Sequence, residues 1–160
     1  AYSEYLESPE PELDQRPTMK AIEHFQLFIE QFPYHSQADS ARQCQAELYD
    51  KLAEREYLNA KLYYNLGDYR GNNYRAAIIT AQNAMNDYPD SKYIDELAFI
   101  IVKSKYHEAI KSVQEKILDR SEDARDECYY YMQEHPNSKH QKEVEKMAEH
   151  LQKIIENSIK

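Results

Sequence analysis

Six histidines, two cysteines and one glycine-rich loop are the residues of this 160-residue chain best suited to chemistry. The histidines stand at 24, 35, 107, 135, 140 and 150, and none has a second His or a Cys at metal-ligand spacing on the same helix face. His135 and His140 come nearest, but Pro136 between them puts them on either side of a turn. Zinc needs three or four convergent ligands, so the histidines read as surface residues. Cys44 and Cys128 are 84 residues apart, each in a helical pattern, with no C-x-x-C pair. They read as buried free thiols, not as a disulfide or a metal pair. The segment "GDYRGNN" (67–73) holds both glycines of the chain. It lacks the Gly-x4-Gly-Lys-Ser/Thr order that cradles phosphate, so it reads as a loop insertion. With 29 acidic residues, neighbouring carboxylates are expected by number alone and mark no acid–base pair. No catalytic residue, metal or cofactor is expected, and the chain reads as a non-enzyme.

The chemistry that remains is that of contact. Glu54, Tyr57, Lys61, Tyr64 and Asn65 share one face of a helical pattern. Tyrosines there supply rigid, amphipathic area of the kind that dominates interfaces. The chain has 15 Tyr and no Trp, so the same tyrosines also suit simple packing between helices. Both readings stand at this point, and the surrounding elements decide between them.

Those elements are helical. Charged residues make up 31% of the chain, the mean hydropathy is −0.93, and there are only two Gly and six Pro. A sandwich or barrel would need many more turn glycines. The longest apolar run, "LAFIIV" (97–102), is far short of the roughly 20 residues that span a bilayer. Net charge is −9, with residues 1–50 carrying ten acids against three bases. An acidic chain without a basic face argues against nucleic acid or anionic lipid as the main partner. The length suits one domain over 1–160. The opening "AYSEYLE" has neither Met nor a signal-peptide pattern. Tyr2, Tyr5 and Leu6 read as the tail of a helix, so the chain is expected to be the later part of a longer protein.

The turns repeat. "FPYHS" (32–36), "YPDSK" (88–92) and "HPNSK" (135–139) each join an aromatic or His, a Pro and a Ser. Twelve residues before Pro33, Pro89 and Pro136 stand Ala21, Ala77 and Ala124. Four and seven residues after each Ala come Phe25 and Phe28, Ala81 and Ala84, and Cys128 and Tyr131, an i, i+4, i+7 stripe for burial. The small Ala lets a neighbouring helix approach, and Pro ends its helix by removing a donor. Ser36, Ser91 and Ser138 are then placed to cap the next helix. Ala-x3-Phe followed by Pro is the second half of the tetratricopeptide signature, and Ala60, Tyr63, Gly67, Tyr74 and Ala77 supply its first half. Such repeats run to about 34 residues, whereas these anchors lie 56 and 47 apart. The spacing therefore predicts an all-α, tetratricopeptide-like solenoid of about six helices, with long fused helices over 36–66 and 91–118. Shorter helices are expected over 18–32, 73–88 and 121–134. A last helix over 138–158 carries the stripe Val144, Met147, Leu151, Ile154 and Ile155, which caps the solenoid or binds a partner.

Three segments carry a family resemblance: "LDQRPTMKAIEHFQLFIEQFP", "DKLAEREYLNAKLYYNLGDYRGNNYRAAI" and "NDYPDSKYIDELA". Over residues 12 to about 105 they resemble the BamD/ComL-type lipoproteins, the tetratricopeptide family of the bacterial outer-membrane protein assembly machine. The middle segment is the most specific, although its loop, Asp68–Asn73, is longer than the family's tight turn. The resemblance implies a non-enzymatic scaffold at the periplasmic face of the outer membrane, tethered by an N-terminal lipid anchor that lies outside this chain. It implies periplasmic domains of the barrel-forming assembly protein as partner, and segments of unfolded outer-membrane proteins as possible clients. A generic tetratricopeptide adaptor that clamps acidic C-termini is the alternative, but Lys61 and Asn65 beside Glu54 make a poor clamp. A helical substrate-binding lipoprotein is the other, with "GDYRGNN" as its one insertion.

Overall fold

Each of the three prolines follows a residue that has already left helical geometry. Phe32, Tyr88 and His135 have φ, ψ of −132°, 57°, of −130°, 60° and of −122°, 56°. Proline disfavours the helical region in the residue before it, and here one conformation results three times. The backbone bonds repeat as well. The amides of Phe32, Tyr88 and His135 donate to the carbonyls of Phe28, Ala84 and Tyr131, and those of His35, Ser91 and Ser138 donate back to Phe32, Tyr88 and His135.

A computed structural model describes all of residues 1–160, as seven helices. They are α1 (Tyr2–Glu7), α2 (Arg16–Gln31), α3 (Ala38–Leu66), α4 (Asn73–Asp87), α5 (Ile94–Ile110), α6 (Gln114–Glu134) and α7 (Gln141–Ile159). Successive helices pack as hairpins, and α3, α5 and α7 also pack on one another in that order. This gives one row of alternate helices backed by α2, α4 and α6, the arrangement of a tetratricopeptide-like solenoid.

Two expectations need correction. Only α3 is a long fused helix. The one expected over 91–118 breaks after Ile110, and α6 starts at Gln114, so there are seven helices. No Gly or Pro marks that break. Ser112 Oγ donates to the Glu108 carbonyl at 2.6 Å and accepts from Arg120 at 2.8 Å, and Lys111 pairs with Asp68 across the loop at 2.5 Å. The Ser112 bond to the backbone competes with helix continuation, and Val113 turns extended (φ −63°, ψ 153°). The serines, too, are not helix caps. Gln37, Tyr93 and His140 occupy those positions without side-chain capping bonds. Ser91 and Ser138 instead accept from the amides of Tyr93 and His140, both at 3.1 Å, and His35 Nδ1 accepts from Gln37 at 3.1 Å. Ser91 and Ser138 are thus engaged within their own turns, two residues before the helix N-caps, and at the first turn His35 takes that part.

The small repeat positions sit where the helices meet. Ala21, Ala60, Ala77 and Ala124 are fully buried, with Ala81, Ala84, Cys128 and Tyr131 beneath them. Ala60 and Ala77 join Ile78, Leu97, Ile100 and Ile101 in one cluster between α3, α4 and α5. Ala77→Leu therefore overpacks this contact, and chemical denaturation should show a loss of about 1–3 kcal/mol. An unchanged midpoint would refute the packing register. Helix α7 buries Val144, Ala148, Leu151 and Ile155, with Met147 half-buried, so its stripe is spent on docking against α5 and α6. Both cysteines are free, Cys128 buried and Cys44 half-buried. No helix is long and apolar enough to cross a membrane.

Candidate partner-binding face

The row α3–α5–α7 gathers most of the predicted contact set and adds to it. Tyr57 and Tyr64 are half-buried, with Glu54, while Lys61 and Asn65 are exposed. The Tyr57 ring stacks on Tyr93 at the start of α5 (centroids 5.5 Å, planes 23° apart), and Lys61 Nζ stands 5.8 Å from its centroid. Burial first, and the Glu54 carboxylate second, push the Tyr93 hydroxyl up to about 12. Tyr64 lies against Tyr74 at 5.9 Å and His107 at 5.7 Å. Asn65 makes no side-chain hydrogen bond and stands apart from this set. The tyrosines thus both pack between helices and leave part of each ring at the surface.

Reasoning from a single helix missed Lys103. It lies in α5, just after the apolar run, and its Nζ stands over two rings, Tyr64 at 4.4 Å and Phe99 at 4.5 Å. No carboxylate comes within ion-pair distance of it. Burial lowers its pKa, while Glu143 and Glu96 oppose that and Lys61 adds to it. A half-buried cation held by ring faces gains attraction from their quadrupoles and keeps its donors free. Its signal in the sequence was a lysine directly after the six-residue apolar run "LAFIIV".

Beside it, Glu96 Oε1 is held by Lys139 at 2.7 Å and by His140 Nε2 at 3.2 Å. Burial pushes Glu96 up, but Lys139 and His140 together hold it below the usual carboxylate range. His140 lies flat on Phe99, with centroids 3.8 Å and planes 10° apart. Three of the six histidines, His107, His135 and His140, are accordingly half-buried packing residues and not surface ones. His107 lies against Tyr64, Tyr74 and Tyr106. Burial first, then Lys111 and Lys103, lower its pKa from 6.5. A lowered histidine favours the fold while neutral. That contribution is complete above pH 6.5 and is lost as pH falls through the folded value. Melting temperature should therefore drop between pH 7 and pH 5, and should drop less in His107→Phe. Equal drops in the two proteins would refute this assignment. Glu96 loses its contribution only below its ordinary 4.5, so the two effects separate.

No group of three or more His, Cys, Asp or Glu is placed to hold a metal ion. The face presents tyrosine edges, two cations without carboxylate partners, Lys61 and Lys103, and an ionised Glu96 paired with Lys139 and His140. That chemistry suits protein contact.

A comparison with protein-family models matches residues 2–116 to YfiO, described as an outer membrane lipoprotein. A search among curated proteins finds no match. The matched span runs from α1 to the first turn of α6 and so includes every residue of the face that comes from α3 and α5. The stacked hairpins, the repeated proline turns and this match lead to one assignment: the chain belongs to the YfiO family of BamD-like outer membrane lipoproteins.

Proposed function

We propose that the protein is a non-enzymatic scaffold of the machinery that assembles outer-membrane β-barrel proteins, and that its α3–α5–α7 face docks a periplasmic domain of the barrel-forming subunit. Lys103 is the observation that carries the choice of face: a half-buried cation between two rings, without a carboxylate partner. Tyrosine anchors are enriched at the energetic centres of protein interfaces, and Lys103 adds a cation whose donors are free for a partner. The family membership supports the setting, the periplasmic side of the outer membrane, and the resemblance supports the partner. Segments of unfolded outer-membrane proteins suit the same tyrosines.

Isothermal titration of the chain with the periplasmic domains of the cognate barrel-forming protein tests this. Binding at about 1 μM or tighter is expected. Tyr57→Ala and Lys103→Ala should each weaken it by about 2 kcal/mol. Binding that both variants leave intact would remove the face from the proposal, and no binding would remove the partner.

The adaptor reading gains one point from the structure. Lys103 joins Lys61 on the same face, which supplies a second cation that the α3 residues alone do not. A peptide with a free C-terminal carboxylate that bound much better than its amide would favour that reading.

A further inference from the structure

Helix α3 is 29 residues long and its hairpin partner α2 is 16. The two pair through Ala21, Ile22, Phe25, Ala41, Leu48 and Leu52, and that cluster ends at Leu52. The 13-residue difference leaves α3 about 20 Å of overhang. On one side the overhang packs on α4 and α5 through Ala60 and Tyr64. On the other side it is bare, and there stand Leu62, 56% exposed, Tyr63, 37%, and Leu66, 38%. Tyr69, 63% exposed, follows in the loop, where its amide donates to the Leu66 carbonyl at 2.9 Å. Residues three and four apart on a helix are neighbours, so this is one apolar strip and not scattered single residues.

The strip ends in a loop held in one shape. Asn73 Nδ2 donates to three carbonyls, Gly67 at 3.1 Å, Tyr69 at 2.8 Å and Gly71 at 3.3 Å. Asp68 is tied to Lys111 and Asn72 to Glu108, both on the α5 side. Arg70 sits at the tip with φ 55°, a value that residues other than Gly seldom adopt. Its guanidinium stands 5.2 Å from the Tyr69 ring centroid, and no carboxylate lies within ion-pair distance. The charge here runs against that of the whole chain. Residues 62–86 hold Arg70 and Arg75 against one acid, Asp68, which Lys111 occupies, and Glu108 reaching in from α5 is taken by Asn72 and Arg120, in a protein of net charge −9.

We propose that this corner is a second docking surface, for an acidic amphipathic segment of a partner protein. Its apolar side covers Leu62 and Leu66 and reaches Tyr69, and its carboxylates meet Arg70 in the field of Arg75. A shape fixed in advance reduces the ordering cost of binding. A lipid surface fits less well, because anionic membranes are held by clusters of four to eight bases and this chain is acidic. The corner is separate from the α3–α5–α7 face and does not depend on it.

Fluorescence anisotropy with a labelled amphipathic peptide of Leu and Glu tests the proposal. The peptide with Lys in place of Glu, and vesicles of phosphatidylglycerol and phosphatidylethanolamine, serve as comparisons. The Leu/Glu peptide should bind, and more weakly as salt rises. Arg70→Glu, and Leu62→Ser with Leu66→Ser, should each weaken it about 10-fold, and Tyr57→Ala should not. Arg70→Gly removes the charge while keeping a residue suited to that backbone, and should weaken binding in the same sense. The proposal is overturned by no binding, by equal binding of the Lys peptide, or by vesicle capture that Arg70→Glu abolishes. It is also overturned if the same variants disperse a self-associated form of the chain in sedimentation.

Discussion

Tyr131→Ala lowers the stability of the protein by about 3–5 kcal/mol, and Tyr131→Phe by about 1–2. Tyr131 is the largest fully buried side chain, 1% exposed. Its ring packs against Phe99 and His135, and its hydroxyl donates to Asp95. The same hydroxyl lies 2.7 Å from Ser138 Oγ, which donates to the other Asp95 oxygen at 2.8 Å. Three elements meet in this triangle: the start of α5, the end of α6 and the turn after Pro136. Phe keeps the ring and leaves Asp95 with one side-chain donor fewer. Ala also opens a cavity in the cluster that joins α5, α6 and α7. Urea titrations of both variants check this. Equal losses would mean that the ring contributes nothing and would refute the packing argument.

Gly67→Ala is expected to cost about 2–4 kcal/mol, from two separate causes. Gly67 caps α3 with φ 52° and ψ −114°, where a side chain is strained whatever the space around it. A Cβ there would also stand 2.8 Å from the Tyr74 hydroxyl and 3.1 Å from Cζ. Tyr74 cannot retreat freely, because it is buried and its hydroxyl accepts from Lys111 at 3.0 Å. Gly71 isolates the backbone cause: its φ is 144° and nothing lies within 4 Å of an added Cβ. Gly71→Ala should therefore cost only about 1 kcal/mol. Tyr74→Phe should rescue part of the Gly67→Ala loss, since the ring carbon at 3.1 Å remains. Matching losses at the two glycines would remove the clash from the account.

The repeat was legible because its carriers act locally. A proline constrains the residue before it, and an alanine at a helix crossing admits a neighbour, so Ala21 to Pro33, Ala77 to Pro89 and Ala124 to Pro136 could be aligned without any structure. The break at 111–113 was not legible, since beside the local bond from Ser112 to Glu108 its partners lie outside the segment: Asp68 pairs with Lys111, and Arg120 reaches back to Ser112. The contact face divides in the same way. Tyr57, Lys61 and Tyr64 follow from helical spacing in α3. Lys103, Glu96 and His140 reach them only because α5 and α7 stack beside α3. The stripe on α7 was read correctly in position, and its use became clear only with Val144 and Leu151 buried against α6.

Helix α5 has a further consequence, which concerns how the molecule comes apart. Leu97 to Val102 are buried without a gap, and they divide between neighbours: Leu97, Ile100 and Ile101 serve the α3–α4 side, while Ala98, Phe99 and Val102 serve the α6–α7 side. In an ideal solenoid each unit touches only the next, and opening spreads inward from either end one unit at a time. A helix shared by two clusters couples their melting. From the second half of α3 to α7 the chain should open as one cooperative block, with the slowest amide exchange along α5. A partner that seats on Lys103 then grips the element that opens last, and binding there holds both halves of the repeat array in register.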